Sequence, residues 1–169
     1  MLHIYTGHGK GKTTAALGQA LRACGHGWKV IMIQFMKGNI EYGEVKIAPS
    51  IPNFEIRQFG LPTFVDKENP GDEDLRLAKE GFEFARQTIR ENKYNMVILD
   101  ELNVAIDFGL IKLDDVLQLL DEVPNEMVVI ITGRYGNPRI AMRADLISEI
   151  LEIKHPYQSG VTAREGIDY

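Results

Sequence analysis

Short unbroken apolar runs alternate along this chain with longer stretches in which apolar residues fall three or four positions apart. Unbroken runs suit strands buried on both faces, and three-four spacing suits amphipathic helices. Residues 2–5 read as a first strand, followed by a glycine-lysine loop at residues 7–12. Helical spacing runs over residues 13–24, with Leu17, Leu21 and Cys24 beside Ala16, Ala20 and Ala23, and Gly25 and Gly27 stop it. Residues 29–35 form a buried-type strand through Val30, Ile31, Met32 and Ile33. Residues 41–48 suit a short helix ending near Pro49, and residues 54–59 alternate as a strand with Phe54, Ile56 and Gln58 on one face. Residues 60–71, with Pro62 and Pro70, make a loop long enough to suggest function. The plainest helix covers residues 72–92, where Leu75, Ala78, Phe82, Ala85 and Ile89 form one stripe and Asp72, Glu73 and Asp74 suit the positive end of the helix dipole. A strand at 96–99 ends in Asp100-Glu101, a helix covers 113–123, and a strand at 127–132 ends in Gly133-Arg134. A short helix at 138–144 and a last strand at 146–153 complete the series. Such alternation predicts a three-layer α/β fold, a mostly parallel sheet covered on both faces. No repeat or linker interrupts it, so residues 1–169 are expected to form a single domain.

Composition changes this picture little. Nineteen basic residues against 24 acidic ones give a net charge of −5, which argues against general nucleic-acid binding. Cys24 is the one cysteine, so no intrachain disulfide forms, and a single thiol suits a reducing cytoplasm. The first strand follows Met1 directly, so no signal peptide is expected, and no apolar run is long enough to span a membrane as a helix.

The chemistry concentrates at the first loop. Gly11-Lys12-Thr13 ends a phosphate-binding P-loop pattern, G-x-x-x-x-G-K-[ST], between a strand and a helix. Thr6 stands where the first glycine is expected, and Gly7 is offset by one. Glycines let backbone N–H groups converge on phosphate oxygens, and the helix start adds positive potential. Gly7, His8, Gly9, Lys10, Gly11, Lys12, Thr13 and Thr14 are therefore candidate nucleotide contacts, with Lys12 neutralising phosphate charge and the Thr13 hydroxyl on Mg²⁺. The bland alternative is a plain glycine-rich turn. Asp100, an acid after an apolar strand, is the second sign, because P-loop enzymes place a Mg²⁺-side carboxylate there. Glu101 beside it is a further metal or nucleophile-orienting candidate, while an N-cap for the next helix is the structural alternative for Asp100.

The stretch TGHGKGKTTAALGQALRACGHGWKV and the following QFMKG resemble the P-loop ATP:corrinoid adenosyltransferases. VILDELNVAIDFGLI, VVIITGR, ADLISEI and KHPYQSGVTAREGIDY continue the likeness in order over nearly the whole chain. The resemblance implies a RecA-like fold, a homodimer, and transfer of the 5′-deoxyadenosyl group of ATP to Co(I) of cobalamin or a precursor, with triphosphate released. It also implies a flavodoxin-type reductant. Phe64, in the loop before the long helix, stands where the family has an aromatic residue associated with displacing the corrinoid's axial ligand; a core anchor is the other reading. The partner aromatic of the family is replaced near Pro62, and Phe59 is a candidate to compensate. Many relatives carry a segment ahead of the first strand that covers the corrinoid site, so this chain, starting at the strand, is expected to have a more open site or one completed by another element.

Arg134 at a strand end is a candidate ATP contact, or else a surface ion pair. Lys154 and His155 suit either a ligand contact or docking of the tail. Lys37 and Glu44 are candidates to face the site, His3 and His26 are read as structural, and Cys24 as core. Competing functions are a RecA-like ATPase or small-molecule kinase, and a non-catalytic nucleotide or corrinoid carrier.

Overall fold

The computed structural model describes residues 1–169. Six parallel strands run in the order β3-β2-β4-β5-β1-β6: β1 Leu2–Thr6, β2 Val30–Phe35, β3 Phe54–Phe59, β4 Met96–Asp100, β5 Val128–Thr132 and β6 Leu146–Glu149. Helices α1 Lys12–Gly25, α2 Gly43–Ile47, α3 Asp72–Glu91, α4 Leu102–Asp107, α5 Leu113–Asp121 and α6 Pro138–Ala141 connect them. This is the three-layer α/β architecture of RecA-like proteins. No helix is long and apolar enough to cross a membrane.

Each central strand feeds two cores, because successive side chains point to opposite faces. Ile31, Ile33, Phe35, Val97, Leu99, Val129 and Ile131 join the larger core with α3, α4 and α5. Val30, Met32, Met96, Ile98 and Ile130 join the smaller core beneath α1. That is why β2 and β4 are buried at every position, and why their sequences show no alternation.

Three elements differ from their sequence reading. On α1 the buried face is Ala16, Ala20 and Ala23, whereas Leu21 is 61% exposed. Alanines let the helix lie close to the sheet, and Leu17 and Leu21 turn toward a cavity instead. Cys24 is half-buried at the edge of the smaller core, where burial pushes its thiol pKa up. On α3 the stripe is buried from Ala78 onward, while Leu75 in the first turn stays exposed. The last strand stops at Glu149 and all four of its residues are exposed. Beyond it the chain bends under the β1–α1 loop, where Gly9 N–H donates to the Ile150 carbonyl at 2.8 Å. A Cβ on Gly7 or Gly9 would run into the backbone of Ile150 or Leu151. The loop glycines thus serve a close backbone approach as well as the loop's own turn.

Helix α3 meets the sheet through Gly81, where a Cβ would stand 2.8 Å from Cβ and Cγ of Phe59. Phe59 is wedged there against Phe84, with ring centroids 5.4 Å apart. Gly81→Ala adds up to about 1 kcal/mol of helix propensity. Overpacking at such a contact costs about 1–3 kcal/mol. A net loss is expected, seen as a lower urea midpoint; a raised midpoint would show that Phe59 gives way freely.

Candidate active site

In a parallel sheet all carboxyl ends share one edge, and ligands bind there. Register makes that edge polar on one face. Gln58, Gln34 and Asp100 are paired across β3, β2 and β4, and Thr132 follows Ile131, the partner of Leu99, on β5. All four lie on the α1 side of the sheet, in series with the apolar residues of the smaller core. They form one hydrogen-bonded row: Gln58 Nε2 donates to Gln34 Oε1 at 3.0 Å, Gln34 Nε2 to Asp100 Oδ2 at 3.2 Å, and Thr132 Oγ1 to Asp100 Oδ1 at 2.7 Å.

Asp100 is the centre of the row and is wholly buried. Thr13 Oγ1, at the start of α1, donates to its Oδ1 at 2.9 Å, and Lys37 Nζ, just past β2, donates to its Oδ2 at 2.7 Å. Four donors therefore occupy both oxygens, which is the capacity of a carboxylate. Burial alone would raise the Asp100 pKa, but Lys37 and the two hydroxyls outweigh it and hold the carboxyl below its usual range. For Lys37 burial works against the charge, yet Asp100 and Glu101 prevail and hold the ammonium pKa above normal.

Asp100 is not a helix cap. The N-cap of α4 is Glu101, with a left-handed backbone at φ 62°, a conformation costing on the order of 1–3 kcal/mol for a non-glycine residue. Its N–H is tied to Thr132 Oγ1 at 3.0 Å, and its side chain lines the cavity. Burial first, and the neighbouring Asp100 second, raise the Glu101 pKa above the usual carboxylate range.

The β1–α1 loop closes the other side. Gly7 and Gly11 have φ of 95° and 119°, so glycine is required at both. Lys12 is buried and folded back on its loop, with Nζ donating to the Gly9 carbonyl at 2.6 Å. Burial lowers its pKa, with Glu101 opposing. Gly9, Lys10, Gly11, Lys12, Thr13 and Thr14 line the cavity, whereas Gly7 packs on Ile150 and His8 stands edge-on to Tyr135 at 5.7 Å. Lys10 is already engaged by the C-terminal tail, at 2.7 Å from the Ile167 carbonyl and 3.3 Å from Asp168.

The cavity measures about 990 Å³. Leu17, Leu21, Ile47, Ile51 and Phe54 make one apolar wall, and Phe64, Val104, Phe108 and Tyr135 contribute apolar surface from other elements. Arg134 also lines it. Gly133 places it: its φ is 125°, a Cβ would press on Asn103 and Val104, and its carbonyl accepts from Asn103 Nδ2 at 3.3 Å.

Phe64 is completely exposed, so the core-anchor reading fails. Phe59, packed in the larger core, is not at the cavity. Lys67, three residues after Phe64, ties that loop to the cavity residues Phe108 and Tyr135, with Nζ 2.7 Å from Asp107 and above the two rings at 5.6 and 5.3 Å. His155 and the last four residues line the cavity, and the Tyr169 ring stands 6.3 Å from that of Tyr42; Lys154 does not reach it.

Gln34 and Thr132 belong to no motif, yet the chain carries a signal for them. The apolar runs VIMIQF, MVILD and VVIIT each place a polar residue where the period-two pattern calls for an apolar one. Lys37 and Glu44 are both at the cavity, Glu44 accepting from Gln34 Nε2 at 3.2 Å.

Parallel strands, a glycine loop leading into a helix and an acid at the end of the central strand define a RecA-like three-layer α/β enzyme. The chain belongs to the ATP:corrinoid adenosyltransferase family BtuR/CobO/CobP, whose model matches residues 1–169. The corrinoid adenosyltransferase of Escherichia coli strain K12 is 39% identical over 167 residues, covering 98% of this chain and 84% of that one. Corrinoid adenosyltransferase CobA of Salmonella typhimurium is 35% identical over 167 residues, with the same coverages. The Pseudomonas aeruginosa corrinoid adenosyltransferase is 31% identical over 169 residues, covering all of this chain and 83% of its own.

Proposed function

We propose that this corrinoid adenosyltransferase transfers the 5′-deoxyadenosyl group of ATP to Co(I) of a reduced corrinoid and releases triphosphate. The observation that carries the reading is a single cavity with a glycine-lysine floor and, beside it, an exposed aromatic loop. A polar grip and an apolar surface suit a triphosphate and a corrin ring together.

In this scheme the β1–α1 loop acts as a P-loop. Lys12 turns from the Gly9 carbonyl to the phosphates, and the N–H groups at the start of α1 and Arg134 share the charge. Thr13 Oγ1 donates its hydrogen bond to Asp100, so its oxygen lone pairs can face a cation. No group of three or more acidic, histidine or cysteine side chains could cage a metal here. The residues therefore fit Mg²⁺ held mainly by phosphate oxygens and water. When bound, Mg²⁺ supplies charge stabilisation for the leaving triphosphate. Glu101, whose side chain lines the same cavity, would orient water there.

The cobalt electron pair forms the Co–C5′ bond as the C5′–O5′ bond breaks, and that bonding pair leaves with triphosphate. No protein base is needed. The chain must align cobalt with carbon and exclude water. Phe64 presses on the corrinoid and disfavours its axial ligand, which eases formation of Co(I) by a flavodoxin-type reductant. We place the enzyme in the cytoplasm, acting as a homodimer of single-domain subunits.

The test mixes the protein with ATP, Mg²⁺ and chemically reduced cobalamin. Adenosylcobalamin in the corrin spectrum, with triphosphate as co-product, is expected. ADP and phosphate without corrinoid turnover would instead mark an ATPase or kinase. Phe64→Ala should leave stability within about 0.5 kcal/mol, as for other exposed positions. It should slow turnover in the reductase-coupled assay far more than in the assay begun from chemically made Co(I). An equal effect in both would remove Phe64 from the reduction step.

A further inference from the structure

We propose that Lys37 is a built-in stand-in for the metal ion: it fills the cation seat at Asp100 and Thr13 while nucleotide is absent, and yields it to the Mg²⁺ that arrives with ATP. This rests on the Mg²⁺-ATP reading above and adds an order of binding to it.

Three observations carry it. First, Asp100 is an ionised carboxylate without solvent exposure, and Lys37 is the one cation in contact with it, at 2.7 Å. A buried carboxylate needs such a partner. Second, the same ammonium lies 3.4 Å from Thr13 Oγ1. It sits between the two groups that a phosphate-bound ion at this place would use. Third, the protein has no cluster of ligands able to hold a metal on its own. A metal ion without phosphates would have to win this seat from Lys37 with few ligands in return.

Two cations cannot share the seat. At contact distance their repulsion in a partly buried site amounts to several times the thermal energy. Lysine suits the exchange, being a compact charge on a flexible stem. Its side chain keeps 17% exposure and lines the cavity, so it has a path from Asp100 toward the triphosphate. Leaving the carboxylate, it gains phosphate oxygens. Free metal is thereby kept out, and Asp100 is never left unpaired.

The test is Mn²⁺ binding to nucleotide-free protein, read by electron paramagnetic resonance. Wild type should bind Mn²⁺ weakly, and Lys37→Met should bind it about tenfold or more tightly, as expected when a competing contact is removed. Lys37→Met/Asp100→Asn should lose that gain, which locates the ion at Asp100 rather than on surface acids. Equal Mn²⁺ affinity in wild type and Lys37→Met would overturn the proposal. Lys37→Arg keeps the charge and serves if the methionine variant does not fold. Its forked guanidinium should stay on Asp100, excluding free Mn²⁺ and weakening Mg²⁺-ATP binding by about tenfold. Wild-type Mg²⁺-ATP affinity in Lys37→Arg would equally overturn it. The adenosyl-transfer assay on wild type is separate, so failure of the enzymatic reading and failure of the Lys37 exchange are told apart.

Discussion

Asp100→Ala is expected to lower the free energy of unfolding by about 3 kcal/mol, the low end of the roughly 3–5 kcal/mol cost of removing one partner from a buried ion pair. The substitution strands more than one group. Lys37 loses its counter-ion at 2.7 Å, and Thr13, Thr132 and Gln34 lose the acceptor they share. Each orphaned donor carries a desolvation cost of about 1–3 kcal/mol if it finds no new partner. The loss stays at the low end because Lys37 opens on the cavity, and its ammonium can move toward water. Urea unfolding followed by circular dichroism measures the loss. Lys37→Met/Asp100→Asn should recover part of it, since no unpaired charge then remains. A loss under about 1 kcal/mol for Asp100→Ala would mean that water already screens the pair, as at a surface ion pair.

Lys12→Ala should reduce kcat/KM for adenosyl transfer by about 10²–10³-fold, the scale for removing one preorganised charge-stabilising group. Its stability should change by only about 1 kcal/mol. In the folded chain Lys12 makes one hydrogen bond, to the Gly9 carbonyl, and burial disfavours its charge. Such a cation gives little to the empty protein and much to a bound anion. Lys10→Ala is the matched control. Lys10 is taken up by Ile167 and Asp168 of the tail, so its loss should be the milder of the two. Reversed magnitudes would shift the phosphate role to Lys10 and make Lys12 a structural tie of the loop. Steady-state kinetics with chemically reduced cobalamin, beside a urea series for each variant, decides between them.

The two substitutions differ in how far the sequence announces them. Lys12 is legible because its chemistry is local: strand, glycines, lysine, hydroxyl and helix follow one another within residues 2–25. Asp100 is half legible. Its place after an apolar run shows that it ends a strand, but Thr13, Lys37 and Thr132 are separated from it by 87, 63 and 32 residues. Only the order β2-β4-β5-β1 sets them together. The same holds for Leu17 and Leu21, whose spacing matches a core stripe as well as a cavity wall. Local pattern gives the amphipathic helix, while the alanine face wins the sheet because it permits closer packing. Phe64 likewise reads equally as a core anchor or as the corrinoid-side aromatic that the resemblance implies, until the fold leaves it outside.

By itself, the sequence determines the strand and helix alternation and the loop at residues 7–14, because each rests on residues near one another in the chain; the parallel sheet follows from that alternation, and the family resemblance from motifs kept in order along nearly the whole chain. Tertiary structure alone decides which side of the sheet carries the polar row, that Asp100 is saturated by four donors, that the tail holds Lys10, and that residues 150–151 pack against Gly7 and Gly9. Each of those depends on strand order and register, which join groups far apart in sequence and whose free energies are settled only when the whole sheet has closed around them.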